Sequence, residues 1–434
     1  MGRFLLSVLV VSTLLAVDRA EAQESRPERP YRGLFASGVD DAEQLLRATA
    51  SVGGGWDDNL AADALGRSNA VVSDVNQQFK GGLGTVSAGL SYSLSLERIG
   101  FGASVASTGR YYPSQEREFL RRDYASLGTS VLLGAGFSAQ ANAVYQPYSL
   151  YSMTPFLFEP QVDAPVAVDE DFPSSLEHYF GYGGGLSYLR QISSRTTFSA
   201  LYSYGGREPL GDIGRFDRHT AAGSFSRTLG RGLALQLGYR YSQAQYGSGG
   251  RHENHIIDAG VNYNRALSFS RRTTLAFTTG TSASRVEPSG SLRYRATGSA
   301  RLTHEIGRTW TASLSYDRGL RFTESWLEPL FTDSATVGLN GFFSRRVQAH
   351  LVGRWVRGVG QRGGGDGIEN YSASAGLSFA ITRYINSGIT YSYYLHEFGN
   401  SVSLPPGYAH DFERRSIRAY VSLWAPLFQR SRTR

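Results

Sequence analysis

The stretch Val86-Ser87-Ala88-Gly89-Leu90-Ser91-Tyr92-Ser93-Leu94-Ser95-Leu96 decides the fold. Its larger apolar residues occupy the even-numbered positions, and serine or glycine occupies the odd-numbered ones. This period of two matches a β-strand, whose successive side chains point to opposite faces, and does not match the 3.6-residue period of a helix. The stretch therefore predicts a strand with one apolar face and one face of small polar residues.

The same alternation recurs along the chain and predicts eighteen strands. In Leu233 to Ser242 and again in Ile385 to His396, apolar and aromatic residues alternate with small or polar ones. The predicted strands cover residues 46–56, 83–96, 99–112, 121–133, 136–151, 177–191, 195–206, 215–229, 232–246, 252–268, 271–285, 290–305, 308–323, 328–343, 346–358, 367–381, 384–398 and 411–428.

Short basic segments mark the connections between these strands. Phe-Ser-Arg-Arg occurs at Phe269 and again 74 residues later at Phe343, and Ile306-Gly307-Arg308 divides that interval in half. Each period of about 37 residues then contains a tight turn, a strand, a longer loop and a strand back, whereas a propeller blade of about 40 to 50 residues needs four short strands. Eight short connections alternate with nine longer ones. This asymmetry is typical of outer-membrane barrels.

The N-terminal segment predicts export. Arg3 precedes an apolar run from Phe4 to Val17, and Ala20-Glu21-Ala22 follows, which is the pattern of a secretory signal peptide. We expect a signal peptide over 1–22, a short periplasmic lead-in over 23–45, a barrel over 46–428 and a tail over 429–434. Because the chain has no cysteine, neither a lipid anchor on cysteine nor a disulfide framework is possible.

The apolar strand faces need an apolar environment. The sequence has no run of eighteen apolar residues and its mean hydropathy is −0.28, which exclude a helical membrane protein. In lipid an unpaired strand edge is not tolerated, so the sheet must close. The sequence predicts an all-β protein: a single transmembrane antiparallel barrel of about eighteen strands, with short periplasmic turns and longer extracellular loops. The alternative is a large soluble all-β protein.

The first and last predicted strands contain sequences that resemble those of known outer-membrane barrels. The last strand, Arg418 to Phe428, resembles the C-terminal strand by which bacterial outer-membrane barrels are recognised for insertion, although Pro426 interrupts it and a tail follows. With the signal peptide, the first-strand stretch Gly55-Trp56-Asp57-Asp58-Asn59 and the hairpin series, the chain resembles the β-barrel porin family that includes outer-membrane proteins of exopolysaccharide operons. The resemblance implies a transport barrel without catalytic residues. It also implies the barrel-insertion machinery and polysaccharide-export components as partners.

Charge indicates the surroundings of the protein. The formal net charge is +7, and Lys80 is the only lysine, so nearly all basic residues are arginine. Guanidinium groups bind phosphate in bidentate fashion. For an exported protein, outer-membrane lipid and lipopolysaccharide are nearer partners than nucleic acid, and we expect no nucleic acid to bind.

Two sets of charged residues are candidates for a pore. Arg293, Arg295 and Arg301 share one face with small polar residues, and a one-residue register error would place three charges in lipid at about 2 to 4 kcal/mol each. We predict that they line a wet lumen together with Arg240 and set its selectivity. The third exterior loop is acidic and is predicted to fold into the lumen as a constriction, with four of its acidic residues as the candidates; the alternative is a solvated or calcium-bridged surface loop. These four residues are Asp163, Asp169, Glu170 and Asp171.

Catalytic and metal-binding patterns are weak. His252-Glu253-Asn254-His255 resembles a metal box, but a spacing of three on a strand puts the two imidazoles on opposite faces. The glycine clusters lack the Lys-Ser/Thr of a phosphate loop. We expect no enzyme, no metal and no cofactor. The predicted function is passive passage of polar solutes across the outer membrane; a conduit for exopolysaccharide, a barrel enzyme and an adhesin are the alternatives.

Overall fold

The computed structural model describes residues 42–59, 80–113, 118–147, 178–209, 215–230, 232–247, 250–267, 270–286, 292–321, 330–360, 367–399 and 410–431. Eighteen strands account for nearly all of them. The first nine are β1 (Ala42–Asp57), β2 (Gly81–Ser95), β3 (Ile99–Tyr112), β4 (Glu118–Gly134), β5 (Phe137–Pro147), β6 (His178–Ser193), β7 (Thr196–Pro209), β8 (Phe216–Gly230) and β9 (Leu233–Tyr246). The last nine are β10 (Gly250–Leu267), β11 (Ser270–Val286), β12 (Leu292–Ile306), β13 (Trp310–Arg321), β14 (Leu330–Ser344), β15 (Val347–Gly360), β16 (Ile368–Ala380), β17 (Ile385–Phe398) and β18 (Asp411–Ser431).

The strands form one closed antiparallel barrel. Each strand pairs with its neighbours in sequence, and β1 pairs with both β2 and β18. Closure removes the free edges that an open sheet would expose. The predicted fold class and strand number are therefore confirmed.

The two faces of the sheet differ in the sense that the alternation predicts. Val86 and Leu90 are 51% and 46% exposed on the outside, and Tyr294 is 68% exposed. The intervening serines point inward, as the Ser51–Ser87 hydrogen bond across β1 and β2 shows. Large apolar side chains thus cover the outside of the cylinder, which is the reverse of a water-soluble protein with an apolar core.

The connections divide the barrel into two ends. Short turns join β4 to β5, β6 to β7, β12 to β13 and β14 to β15 at one end, here called the turn end. Gly134, Ala135 and Gly136 all have positive φ in the first of these turns, and Gly307 does in the third. The basic segments lie here, since Arg308 and Arg345 are turn residues. The opposite end, which carries most of the longer connections, is the loop end.

One local prediction is wrong. Pro426 does not interrupt the last strand, because β18 continues through it to Ser431. Pro426 lies opposite Arg47, next to a shift in register between Leu46 and Arg47. Such an irregularity tolerates a residue without an N–H donor. The proposed leader over 1–22 lies outside the described residues, and within those residues no helix is long and apolar enough to cross a membrane.

Candidate functional site: an arginine-lined inner wall

The inner wall, meaning the inward-pointing positions of all eighteen strands, is rich in small hydroxyl side chains. Pairs of serine or threonine lie directly opposite each other on neighbouring strands and bond through their hydroxyls. These pairs are Ser51–Ser87 at 2.6 Å, Ser104–Ser126 at 2.7 Å, Ser138–Ser187 at 2.5 Å, Ser199–Ser224 at 2.7 Å, Thr220–Ser242 at 3.2 Å, Thr278–Ser299 at 2.8 Å and Ser392–Ser416 at 2.8 Å. Side chains this small leave interior space and present polar groups to it.

Arginines occupy inward positions on many of these strands. The inward arginines include Arg110, Arg122, Arg207, Arg218, Arg240, Arg293, Arg295, Arg301, Arg354, Arg414 and Arg418. The residues directly opposite them are mostly small or neutral: Arg240 faces Ala222 and Ile256 across its two ladders. Many carboxylates of the loop half lie at outward positions, among them Asp123, Asp217, Glu253, Asp333, Glu369 and Glu413, whereas Asp57 and Asp317 lie at inward ones. Among the described residues, the inner wall therefore carries more arginines than carboxylates.

The four arginines predicted from the sequence lie at inward positions, on β9 and β12. Arg301 faces Ala276 on β11 and Ser315 on β13. Nearer the loop end, the β12–β13 ladder stops at Gly298, whereas the β11–β12 ladder continues to Leu292. Within this gap the Arg295 guanidinium carbon lies 4.6 Å from the centroid of the Phe331 ring, which is at an outward position of β14 and also lies 5.3 Å from the guanidinium carbon of outer-face Arg318. The role of these arginines in selectivity stays a prediction.

A buried ion pair joins the first strand to the last. Asp57 ends β1 and is completely buried. Its Oδ2 accepts hydrogen bonds from Arg414 Nε at 2.9 Å and Nη2 at 2.7 Å, and it lies 3.6 Å from Arg418 Nη2. Both arginines belong to β18, two positions on either side of Ser416, which faces Asp57. This geometry fixes the register of the seam, meaning the β1–β18 pairing.

The two residues after Asp57 extend this connection. The Asp58 carboxylate accepts a hydrogen bond from the Arg415 backbone N–H at 2.6 Å, and the Asn59 side-chain amide donates to the Glu413 carbonyl at 2.8 Å. The stretch Gly55-Trp56-Asp57-Asp58-Asn59 therefore closes the barrel at the loop end. The sequence indicated this stretch only through a family resemblance. The ion pair that Asp57 forms at the seam was not predicted. Two consecutive acids at the end of a first strand were the available signal.

Inward side chains are more deeply buried toward the loop end. Inward residues of the turn half, such as Arg47, Ala106 and Ser130, are exposed to the interior. Inward residues near the loop end are buried, including Tyr112 and Val356, whose exposed fractions are zero. Leu83, Tyr112 and Leu120 pack into one inward apolar cluster, and Phe216, Ala244 and Tyr246 pack into another. Inward side chains are thus open to the interior in the turn half and packed against their neighbours near the loop end.

A series of contacting polar side chains lies within this closely packed region. His396 on β17 contacts the Tyr394 hydroxyl through Nε2 and the Asn370 amide oxygen through Nδ1. Its ring stacks on Phe398, with the centroids 5.4 Å apart. All four side chains are buried. They belong to the packing of the loop end and line no solvent-accessible cavity.

The other candidate residues from the sequence, four acids and two histidines, lie in different places. The acidic constriction candidates Asp163, Asp169, Glu170 and Asp171 lie outside the described residues, so their role stays a prediction. His252 is buried on the inner wall, whereas His255 lies on the outer face with its Nδ1 2.7 Å from the Tyr239 hydroxyl. Within the described strands and turns, no group of three or more metal-capable side chains is present.

Comparison with known proteins gives a structural likeness. No protein-family profile and no curated protein matches the chain. Among solved structures, OccK2 (OpdF) of Pseudomonas aeruginosa in complex with glucuronate is 13% identical, over 89% of this chain and 99% of that one, with a TM-score of 0.45. A BenF-like porin from Pseudomonas fluorescens Pf-5 is 11% identical, over 89% and 99%, with a TM-score of 0.46. OccAB1 of Acinetobacter baumannii is 11% identical, over 93% and 100%, with a TM-score of 0.42. Likeness of this degree assigns no function.

Proposed function

We propose that the chain is an outer-membrane channel for passive passage of polar solutes, with a preference for anions. One observation carries the proposal: in the described residues, arginines outnumber carboxylates on the inner wall, where Asp57 and Asp317 are each paired with an arginine. Cations fixed along a low-dielectric wall raise the local concentration of anions. A barrel of sixteen to eighteen strands also leaves room for an aqueous path.

The outer face supports a membrane location. Large apolar side chains such as Val52, Leu237 and Val337 are more than half exposed on it. In water this exposure would be costly over so large an area, whereas in lipid it is favourable. A closed antiparallel barrel is the β-structure that a bilayer accepts. The predicted signal peptide agrees with export to the outer membrane of a Gram-negative envelope.

The close packing of inward side chains near the loop end favours small solutes over a polymer. A polysaccharide conduit needs a continuous wide path, with aromatic rings available to stack on sugars. The inward aromatic residues near the loop end, Tyr112, Tyr246 and Phe412, are buried in packing. The exopolysaccharide association that the resemblance implied therefore ranks second. A deletion strain that loses surface polymer but keeps small-solute uptake would favour it.

Planar-bilayer recording tests the proposal directly. In a KCl gradient, the reversal potential of the wild-type channel is expected to show anion preference at about 0.1 M salt. The preference should decrease at about 1 M, because the Debye length falls from about 10 Å to about 3 Å. A protein that inserts and shows no conductance, or one that prefers cations at low salt, contradicts the proposal.

A further inference from the structure

A second set of arginines lies on the outer face near the loop end. We call these residues and their acidic partners the outer girdle. Its five ion pairs are Arg121–Asp123 at 2.9 Å, Arg215–Asp217 at 2.7 Å, Arg251–Glu253 at 2.6 Å, Arg318–Asp333 at 3.4 Å and Arg415–Glu413 at 2.6 Å. The acids lie near the start of β4, β8, β10, β14 and β18, so the pairs are spread around the barrel at one level.

Tyrosines orient the carboxylates of the girdle. Tyr204 donates its hydroxyl to Asp217 at 2.8 Å, and Tyr241 donates to Glu253 at 3.0 Å. Tyr316 donates to Asp333 at 2.5 Å. Glu369 on β16 accepts from Tyr371 at 2.6 Å and from the Trp355 indole at 3.0 Å. These aromatic residues place the girdle where amphipathic rings are favoured, at the boundary between hydrocarbon and headgroups.

The two partners of each ion pair differ in exposure. The arginine side chains of the pairs at Asp123, Asp217, Glu253 and Glu413 are 65%, 57%, 49% and 53% exposed, against 39%, 20%, 19% and 38% for the acids. A guanidinium has five N–H donors, and a carboxylate engages only part of this set. About half of each of these arginine side chains is therefore open to the surroundings on the outer face, which also carries exposed apolar side chains such as Ile257 and Ile417.

From this geometry we infer that the outer girdle binds phosphorylated lipid headgroups of the leaflet at the loop end. The inference rests on the membrane location proposed above. The acids hold the guanidinium groups in place, and a phosphate oxygen takes the outward N–H donors while the acyl chains lie along the exposed apolar side chains. Arginine suits this role because its planar fork matches phosphate in bidentate fashion.

Binding of diphosphorylated lipid A to the detergent-solubilised full chain, followed by native mass spectrometry, tests the inference. The test variant carries four substitutions on the outer face, and the matched control removes the same charge from the inner wall. The test substitutions are R121Q, R215Q, R251Q and R415Q, and the control substitutions are R240Q, R293Q, R301Q and R354Q. Because each arginine near an anionic lipid surface contributes about 1 kcal/mol, lipid affinity is expected to fall at least about tenfold in the outer variant and less than about twofold in the inner one.

Two further binding measurements complete the experiment: one changes the phosphate content of the lipid, and the other adds a free anion as competitor. Dephosphorylated lipid A should bind the wild type as weakly as diphosphorylated lipid A binds the outer variant, and millimolar inorganic phosphate should not displace the lipid. Arginine-to-lysine replacement at the same four positions should restore part of the affinity. If the fourfold variant does not fold, R121Q/R251Q is expected to lose about threefold.

Three results would overturn the inference: unchanged lipid affinity in the outer variant, equal losses in both variants, or full displacement by inorganic phosphate. Conductance recorded on the same variants separates this inference from the proposed channel. If the wild type binds lipid A through the outer arginines but does not conduct, the proposed channel is wrong and the girdle inference stands. If the outer variant conducts and its lipid affinity is unchanged, the girdle inference is wrong and the proposed channel stands.

Discussion

Arginines on the two faces of this barrel share one side chain but have different surroundings. On the outer face, Arg215 lies two residues from Asp217 on the same chain segment, and Arg251 lies two residues from Glu253. On the inner wall, Arg240 faces Ala222 and Ile256, and Arg354 faces Thr336 and Ser372. The outer arginines are half exposed, while Arg110 and Arg207 of the inner wall are 1% and 4% exposed.

This difference follows from the period of a strand. Residues two apart lie on the same face, so an Arg-x-acid segment supplies its own ion pair without help from another strand. An inner-wall arginine can pair along its own strand, as Arg321 does with Asp317, or with a residue of another strand. Asp57 shows the extreme case, since its partner Arg414 is 357 residues away in sequence. Most outer pairs are therefore local and exposed, although Arg318–Asp333 joins two strands, whereas the inner Asp57–Arg414 pair is distant and buried.

The largest effect is expected from breaking the buried inner pair. Asp57→Ala leaves Arg414 and Arg418 without their carboxylate, and breaking a buried ion pair costs about 3–5 kcal/mol. The free energy of unfolding of the barrel refolded into lipid vesicles, from urea titration followed by tryptophan fluorescence, measures this loss. Asp123→Ala is the matched outer control and should cost less than about 1 kcal/mol. Equal losses in the two variants would show that the seam does not depend on Asp57.

The difference between local and distant pairs also explains what the sequence could predict. The alternation in Val86 to Leu96 recurs in every strand, so the strand number and the inward direction of Arg293 and Arg301 could be derived from parity alone. The Asp57–Arg414 pair depends on which strand closes against β1, and parity carries no such information. Pro426 was misread because a register shift tolerates it. The close packing near the loop end could not be predicted either, because the burial of a side chain there depends on residues from several strands.

The next comparison concerns ion selectivity. Replacing Arg293, Arg295 and Arg301 by serine removes three inner cations, and the anion-to-cation permeability ratio at about 0.1 M salt should fall at least about twofold, because the Debye length of about 10 Å there covers much of a pore radius. Serine replacement of Arg121, Arg251 and Arg415 removes the same charge from the outer face and should leave the ratio unchanged. Reversal potentials of the two variants in planar bilayers measure it. An unchanged ratio and conductance in the inner variant would make those arginines structural.

A smaller effect is expected from the neutral part of the inner wall. Ser51→Ala removes the hydroxyl partner of Ser87, and loss of such a hydrogen bond costs about 0.5–1 kcal/mol. Ser387 lies on the outer face of β17 opposite Val421, so Ser387→Ala is the control and should be neutral or slightly stabilising in lipid. Urea unfolding in vesicles compares the two. A destabilised Ser387→Ala with an unaffected Ser51→Ala would reverse the assignment of the faces.

The smallest effect is expected from the outer pair taken by itself. A double-mutant cycle of Arg121→Ala and Asp123→Ala should give a coupling free energy of about 0.2–1 kcal/mol, because the Arg121 side chain is 65% exposed and water screens the attraction. The corresponding cycle of Asp57→Ala and Arg414→Ala should give a coupling several times larger, since both side chains lie almost entirely out of solvent. Raising the salt from about 0.1 M to about 1 M should abolish the outer coupling and leave most of the inner one. Outer coupling that persists at high salt would mean that the girdle pairs are shielded from solvent as the seam pair is, and the distinction between the two classes of arginine would then fail.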